Sequence, residues 1–390
     1  MSEQTQAQRV IGLDAHPYLF SAAALSGPDA LQARVEWVVD RQPLERLGAV
    51  LRRRLKPGDI VALEASGNSF AVAERLANMG VAAVVLESYS VGQVGKTYCA
   101  TDKLDAVKIA RVYLSGLAHV VWTPDARTQQ RRELFVAHRN AVHDSVRERN
   151  RLWAMFNGQG KRRPRGVRLA AKDALAQLLG AHDWTPMEQV LVTEQLAAFQ
   201  QAEARRVRLR AMIAEQVAAD PDMLRIVRLM GVRHLIAFAL AAFIGPIERF
   251  ATPRKLVAYF GLNPRVSRSG ISGGNGHLSH YGRRDVRAML IQAAQSILRY
   301  GQGPTHRWAV ALKMRKGATI AVAALARKLV VSVWYLLSGR LTPLKEATPQ
   351  LRLKLHKIVS EISLKATRAQ GFKTRAALER NLMEILLKAA

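Results

Sequence analysis

From Arg9 to Leu86 the apolar positions come in short runs broken by turn residues, a spacing that predicts strands more than long helices. Arg9 to Asp14, Leu19 to Leu25 and Arg34 to Val39 are three such runs, the last two separated by Ser26-Gly27-Pro28-Asp29. Pro43 to Leu55 changes to helical spacing at Leu44, Leu47, Val50 and Leu51. Asp59 to Glu64 reads as a fourth strand, Ala71 to Met79 as a helix stopped by Gly80, and Val81 to Leu86 as a buried strand. A further helix runs to about Leu114, with Thr101 as its N-cap candidate. This order predicts an α/β domain with a mixed sheet over residues 1–122.

Beyond Pro124 the pattern lengthens and becomes helical. Ala126 to Phe156 and Met187 to Ala219 predict two long helices, a coiled-coil-like hairpin over 123–221 with a basic linker at 158–168. Arg225 to Ile244 reads as a helix containing Gly231, and Phe250 to Tyr259 as a short helix. Val286, Met289, Leu290, Ala293 and Ile297 form a clean amphipathic stripe. The polar stretch between Phe260 and Val286 then reads as a long loop within a mainly helical domain, 222–341. A basic helical tail, 342–390, follows. The fold class expected is therefore α/β plus α. The most apolar window, Ala318 to Leu337, has Arg327 and Lys328 in its middle, which favours a buried helix over a membrane span. Met1 to Gln8 lacks the apolar run of a signal peptide, so the expected location is cytoplasmic.

Charge narrows the partners. Lys and Arg number 59 against 30 Asp and Glu, a formal charge of +29 that points to a polyanion, most often nucleic acid. A polybasic membrane-surface protein has no lipid motif or amphipathic anchor to support it. The single cysteine, Cys99, excludes an intramolecular disulfide, and no Cys/His cluster suggests zinc. Gly92 and Gly95 lack the spacing of a nucleotide-hydrolysing phosphate loop. Lys161, Arg162, Arg163, Arg165 and Arg168 are either solvated or phosphate contacts.

Against this basic background a few acids stand out. Asp14 and Glu64 end strands, where open α/β sheets place their sites, and Asp102 and Asp105 lie three apart at the start of a helix. Singly, each could be a turn residue or a helix-dipole partner. Together they could supply the carboxylates of a two-Mg²⁺ phosphoryl-transfer site. His16, close to Asp14, could be a ligand or base, or structural. In the polar stretch, Ser267 and Ser269 stand among Arg265 and Arg268, with Arg283 and Arg284 beyond. Guanidinium groups around a hydroxyl suit attack on a phosphodiester, or simply a phosphate clamp.

Several of these motifs occur in an order that resembles a known family. Gly12-Leu13-Asp14, Leu63-Glu64-Ala65-Ser66-Gly67, Thr101-Asp102-Lys103-Leu104-Asp105-Ala106, Phe260-Gly261-Leu262-Asn263-Pro264 and Ser269-Gly270 look like the DEDD transposases of bacterial insertion sequences, type 110/1111. That family includes bridge-RNA-guided recombinases and Piv-type invertases. The resemblance implies a RuvC-like, ribonuclease H-type N-terminal domain with Asp14, Glu64, Asp102 and Asp105 as Mg²⁺ ligands. It also implies a helical insertion and a C-terminal transposase domain whose nucleophile is Ser269. The implied partners are DNA at element ends and target, a noncoding guide RNA, and further copies of the chain as a dimer or tetramer. Two departures are visible: Gly231-Val232-Arg233 keeps one glycine of a Gly-x-Gly signature, and the segment after the serine reads Ser279-His280-Tyr281-Gly282-Arg283-Arg284. Rival readings are a junction-resolving nuclease that uses water, and a non-enzymatic nucleic-acid binder.

Overall fold

In this computed structural model residues 9–94, 102–269, 272–278, 282–340 and 348–388 are described, and they divide into two compact units at Asp125 and Ala126. The first unit runs β1 (Arg9–Ala15), β2 (Leu19–Ser26), β3 (Arg34–Pro43), a 3-10 turn and α1 (Leu47–Arg52). Next come β4 (Ile60–Glu64), α2 (Ser69–Ala77), β5 (Ala82–Leu86), α3 (Ser88–Val94), α4 (Asp102–Leu114) and a short β6 (Val120–Val121). The strands lie in the order β3-β2-β1-β4-β5-β6. The β1–β2, β2–β3 and β5–β6 pairs are antiparallel, while β1–β4 and β4–β5 are parallel. The mixed sheet expected from the spacing is thus present, and Thr101 lies outside the described residues.

Alternation along the strands sorts the side chains into two cores. Ile11, Leu13, Val61, Leu63 and Val85 pack against Leu47 and Leu51 of α1 and Val72, Ala73 and Leu76 of α2. Val10, Ala23, Leu25, Ala62 and Leu86 face the other way, onto Val91 of α3 and Ala106, Ile109 and Ala110 of α4. The α4 positions recur at i, i+3 and i+4, one stripe of that helix. Gly12 is what lets α4 lie against β1. A Cβ there would sit 1.9 Å from the Ala106 carbonyl oxygen and 2.7 Å from the Ala110 nitrogen.

The second unit is built on two long helices. Helix α5 (Ala126–Gly158) and helix α7 (Pro186–Ala218) have 33 residues each, about 50 Å at 1.5 Å per residue. Between them lies α6 (Ala174–Leu179). Thr185 caps α7 in a reciprocal box with Glu188, with Pro186 in the first turn. At one end the pair holds its own core, Leu152, Phe156, Trp184, Val192 and Leu196 among it. At the other end Phe135, Ile213, Ala214 and Val217 enter the main core of the unit.

That core is filled by α8 (Pro221–Val227), α9 (His234–Ile244), a 3-10 turn, α10 (Pro253–Tyr259), α11 (Arg284–Tyr300), α12 (Gly303–Lys316) and α13 (Ala318–Leu337). The tail supplies α14 (Thr348–Glu361), α15 (Leu364–Ala369) and α16 (Arg375–Lys388). Leu355, Ile358, Ile362, Leu378 and Leu382 of the tail are buried in the same core. Helix α13 alone among the described helices is long and apolar enough to cross a membrane, yet Ala321, Leu325, Leu329 and Val333 are buried within the unit.

Two expectations about local structure need correction. The helix read from Arg225 to Ile244 is broken into α8 and α9. Gly231 adopts φ +75°, outside helical space, and a Cβ there would meet Ile297 at 2.6 Å. The stretch after Phe260, expected as a polar loop, contains a β-hairpin: β7 (Pro264–Ser269) pairs antiparallel with β8 (Ser272–Leu278). Its strands lack apolar alternation, so periodicity alone could not reveal them.

Candidate functional site

The parallel register of β1 and β4 decides where the first two acids stand. Gly12 pairs with Ala62 and Leu13 with Leu63, so Asp14 and Glu64 are the next residues on adjacent strands. Both continue the row of Gly12 and Ala62, on the face that α4 covers. Both are half-buried at strand C-termini, where the apolar row ends. His16 Nε2 lies 3.4 Å from Asp14 Oδ2, and the His16 carbonyl accepts from Asn68.

Asp105 sits on α4 directly before Ala106, the residue that meets Gly12, and Lys108 Nζ is 3.9 Å from its Oδ1. Asp102 begins the helix, but its side chain lies outside the described residues. Among the described residues no three His, Cys, Asp or Glu side chains gather closely enough to hold a metal ion. The structure therefore brings Asp14 and Glu64 together by register and sets Asp105 on the helix that covers their face.

One neighbour was missed from sequence. Ser21 pairs across the strands with Asp14, and its Oγ donates to Asp40 Oδ1 at 2.8 Å. Asp40 lies within β3, directly after the run Arg34 to Val39, so only the β2–β3 register reveals its nearness. Arg41, which follows, holds φ +46° and donates its backbone N–H to Ser21 Oγ.

The serine lies in the second unit. Ser269 is the last residue of β7 and pairs with Ser272, while Ser267 pairs with Gly274. The side chains of Arg265, Ser267, Arg268 and Ser269 lie outside the described residues. The base of the hairpin is anchored. Arg287 Nη1 donates to the Gly261 carbonyl at 3.1 Å, and Leu262 N donates to the Val257 carbonyl. Arg283 caps α11 beside this base, with Nη2 3.2 Å from Asp285 Oδ2 and its guanidinium 3.9 Å over the Phe243 ring. Asp285 also takes Arg139 at 3.1 Å. Arg283 is thus engaged by partners within the unit while its side chain stays 39% exposed, and Arg284 is exposed as well. Arg287 gave no signal in sequence beyond its charge.

The basic linker divides the same way. Lys161 is committed to structure: Nζ lies 3.1 Å from Glu188 Oε2 and 3.8 Å over the Trp184 ring. Arg163 lies 5.5 Å over Trp153 yet remains exposed, as do Arg162, Arg165 and Arg168.

Comparison with known proteins adds an independent line. Residues 224–309 match the family described as Transposase IS116/IS110/IS902, a span that runs from within α8 through α9, the hairpin and α11 into α12. A Pseudomonas aeruginosa protein described as a probable family 20 transposase is 28% identical over 340 residues, 84% of this chain and 96% of that one. The transposase of IS1111A from Coxiella burnetii is 34% identical over 127 residues, 32% of this chain and 35% of that one. The transposase of IS1328 from Yersinia enterocolitica is 24% identical over 71% of this chain and 83% of that one. With the family match in the second unit and similarity extending over most of its length, the chain is similar to the IS110/IS1111-type transposases of insertion sequences.

Proposed function

We propose that the chain is a Mg²⁺-dependent DNA strand-transfer enzyme that moves an insertion sequence, acts through a serine nucleophile and is directed to its sites by a noncoding RNA. The observation that carries this reading is the register that sets Asp14 and Glu64 side by side on the α4-covered face. The strand order, with one antiparallel side and a parallel centre, is in keeping with a RuvC-like, ribonuclease H-type domain.

Carboxylate oxygens are hard donors that suit Mg²⁺, so the donor set fits the ion. Asp14, Glu64, Asp102 and Asp105 would hold it, and bound there it would supply charge neutralisation at the scissile phosphate. Ser269 Oγ attacks phosphorus. The Oγ–P bond forms as the bond from phosphorus to the leaving sugar oxygen breaks; the serine loses its proton and the leaving hydroxyl gains one. The phosphoserine ester can then be attacked by a second sugar hydroxyl, which rejoins DNA without an external energy source. Arg265 and Arg268 clamp the phosphate as charge develops. Acids and serine belong to different compact units, which favours assembly as a dimer or tetramer, with element-end and target DNA as substrates.

A denaturing gel of the protein with labelled substrate in Mg²⁺ tests this. Wild type and Ser267→Ala should give a covalent protein–DNA species, and Ser269→Ala and Asp105→Ala should give none. An adduct from Ser269→Ala would overturn the choice of nucleophile. Strand cleavage with no adduct in any variant would replace strand transfer with hydrolysis by water.

A further inference from the structure

A cavity of about 750 Å³ opens in the second unit between the α8–α9 turn, the α11–α12 turn and tail helix α14. Its lining joins an apolar surface, Ile297 and Leu353, to the cations Arg233 and Lys357, the ring of Tyr300 and the amide of Gln302. The chemistry proposed for Asp14, Glu64 and Ser269 makes no use of it. Its volume lies in the range of sites for small organic ligands.

Four features define the occupant. No lining residue carries a carboxylate, so the walls are basic or neutral. From Val286 to Lys345 the chain has ten Lys and Arg and no Asp or Glu, so the cavity borders a long acid-free segment that would attract an anion. Lys357 is half-exposed and lies 3.5 Å from Glu361, whose charge is already met by Arg210 at 2.6 Å and by His234, its Nε2 at 2.9 Å. Tyr300 is 78% exposed at the mouth, a large ring left in water. An anion with a flat π-face satisfies all four.

We infer that the cavity receives one nucleotide of a single-stranded nucleic acid, its base stacked on Tyr300 and its phosphate held by Arg233 and Lys357. The inference rests on the nucleic-acid-acting reading above, and it brings helix α14, from the tail, into binding. A duplex keeps its bases stacked inside and cannot offer one to a concave site, so the cavity discriminates for unpaired strands.

Binding of the full chain to labelled oligothymidylate, oligouridylate and a DNA duplex tests this without any requirement for catalysis. Tyr300→Ala should weaken single-strand binding about tenfold or more, the scale of one base–aromatic stack, and leave duplex binding within about twofold. Tyr300→Phe should restore it. Arg233→Gln should flatten the salt dependence by a slope of about 0.7, one phosphate on a single strand. A loss confined to the deoxy or the ribo strand identifies which one occupies the site. Tyr300 and Arg233 are exposed, so these changes leave the core intact. Equal losses on duplex and single strand, or none on either, would overturn the cavity inference alone; a wild-type chain that binds no nucleic acid would overturn the functional reading with it.

Discussion

The two regions given chemical roles are supported in opposite ways. Asp14 and Glu64 are fixed by a sheet whose parallel register leaves them no choice of neighbour, and a helix is pressed onto the same face through a glycine. Ser269 ends a strand of a two-stranded hairpin with few apolar residues, anchored chiefly at its base by Arg287 and the backbone around Gly261. An isolated two-stranded hairpin is marginally stable by itself. A metal site requires several donors held to a fraction of an ångström, and a sheet provides that. A nucleophile that must meet a phosphate and then release it is served by a tip on a firm base. Acid placement thus depends on the interior of the first unit, while serine placement depends on a small set of anchors in the second.

The largest way to break the contrast is Gly12→Ala. The added Cβ meets backbone atoms of α4, which cannot swing aside as a side-chain end could. We expect a destabilisation of about 3 kcal/mol, the upper end for overpacking, together with loss of strand cleavage. Hydrogen exchange should rise across α4 and β1 and stay unchanged in α9 and α11. A variant as stable as wild type would mean that α4 does not rest on β1 as described.

A second test acts on the other unit through pH. Burial, reinforced by Arg210 and Arg206, pushes the His138 imidazole down to about 4. Burial alone would raise the Glu361 carboxyl, but His234 and Arg210 outweigh it and hold it below the usual range. The unfolded histidine binds a proton below about pH 6.5 while the folded one stays neutral, so stability falls as pH drops from about 6.5 toward 4. Glu361 acts in the same direction at lower pH, because its contribution is lost as pH falls through its folded value. Between about pH 7 and pH 5 the second unit should lose roughly 2 kcal/mol in urea titrations. His138→Gln should flatten that dependence. An unchanged slope would show that His138 is not the group that titrates.

Arg287→Met is smaller and sharper. It keeps an unbranched apolar stem and removes the hydrogen bond to the Gly261 carbonyl, a loss of about 1.5 kcal/mol, the low end for a charged donor. Adduct formation should fall several-fold, with faster exchange at Gly261 to Asn263. Unaltered adduct yield would show that the hairpin base does not position the serine.

How much of this was readable in the sequence follows the same division. Short apolar runs marked out the sheet of the first unit, and the motif at Gly12-Leu13-Asp14 could be placed on a strand end from spacing alone. The nearness of Asp40 to Ser21 could not, since it depends on the bulged β2–β3 register. In the second unit the long helices were legible from their length. The hairpin was not, because its pairing is made by backbone groups along a polar strand. The break at Gly231 depends on Ile297, distant in sequence. The tail read as a basic helical segment; its burial appears only when Leu355, Leu378 and their neighbours are seen to share a core with α9 and α13.

The smallest predicted effect divides the basic linker residue by residue. Charge alone made Lys161, Arg162, Arg163, Arg165 and Arg168 equivalent candidates for phosphate. The structure does not treat them alike: the Lys161 side chain is only 17% exposed, with Glu188 and the Trp184 ring as partners. A cation so engaged is poorly placed to release counterions from DNA. Lys161→Gln should therefore leave the salt slope of nucleic-acid binding unchanged and lower stability by about 1 kcal/mol, the scale of a partly desolvated cation–π pair. Replacing Arg162, Arg165 and Arg168 together with Gln should do the reverse: stability within about 0.5 kcal/mol of wild type, as for surface changes, and a slope flatter by up to about 0.9 for every duplex phosphate that the variant no longer neutralises. Binding titrations at several salt concentrations, run beside thermal melts, read both quantities on the same preparations. If Lys161→Gln changes the slope while the triple variant does not, the linker binds nucleic acid through the very residue that the fold holds inward, and its conformation must change on binding.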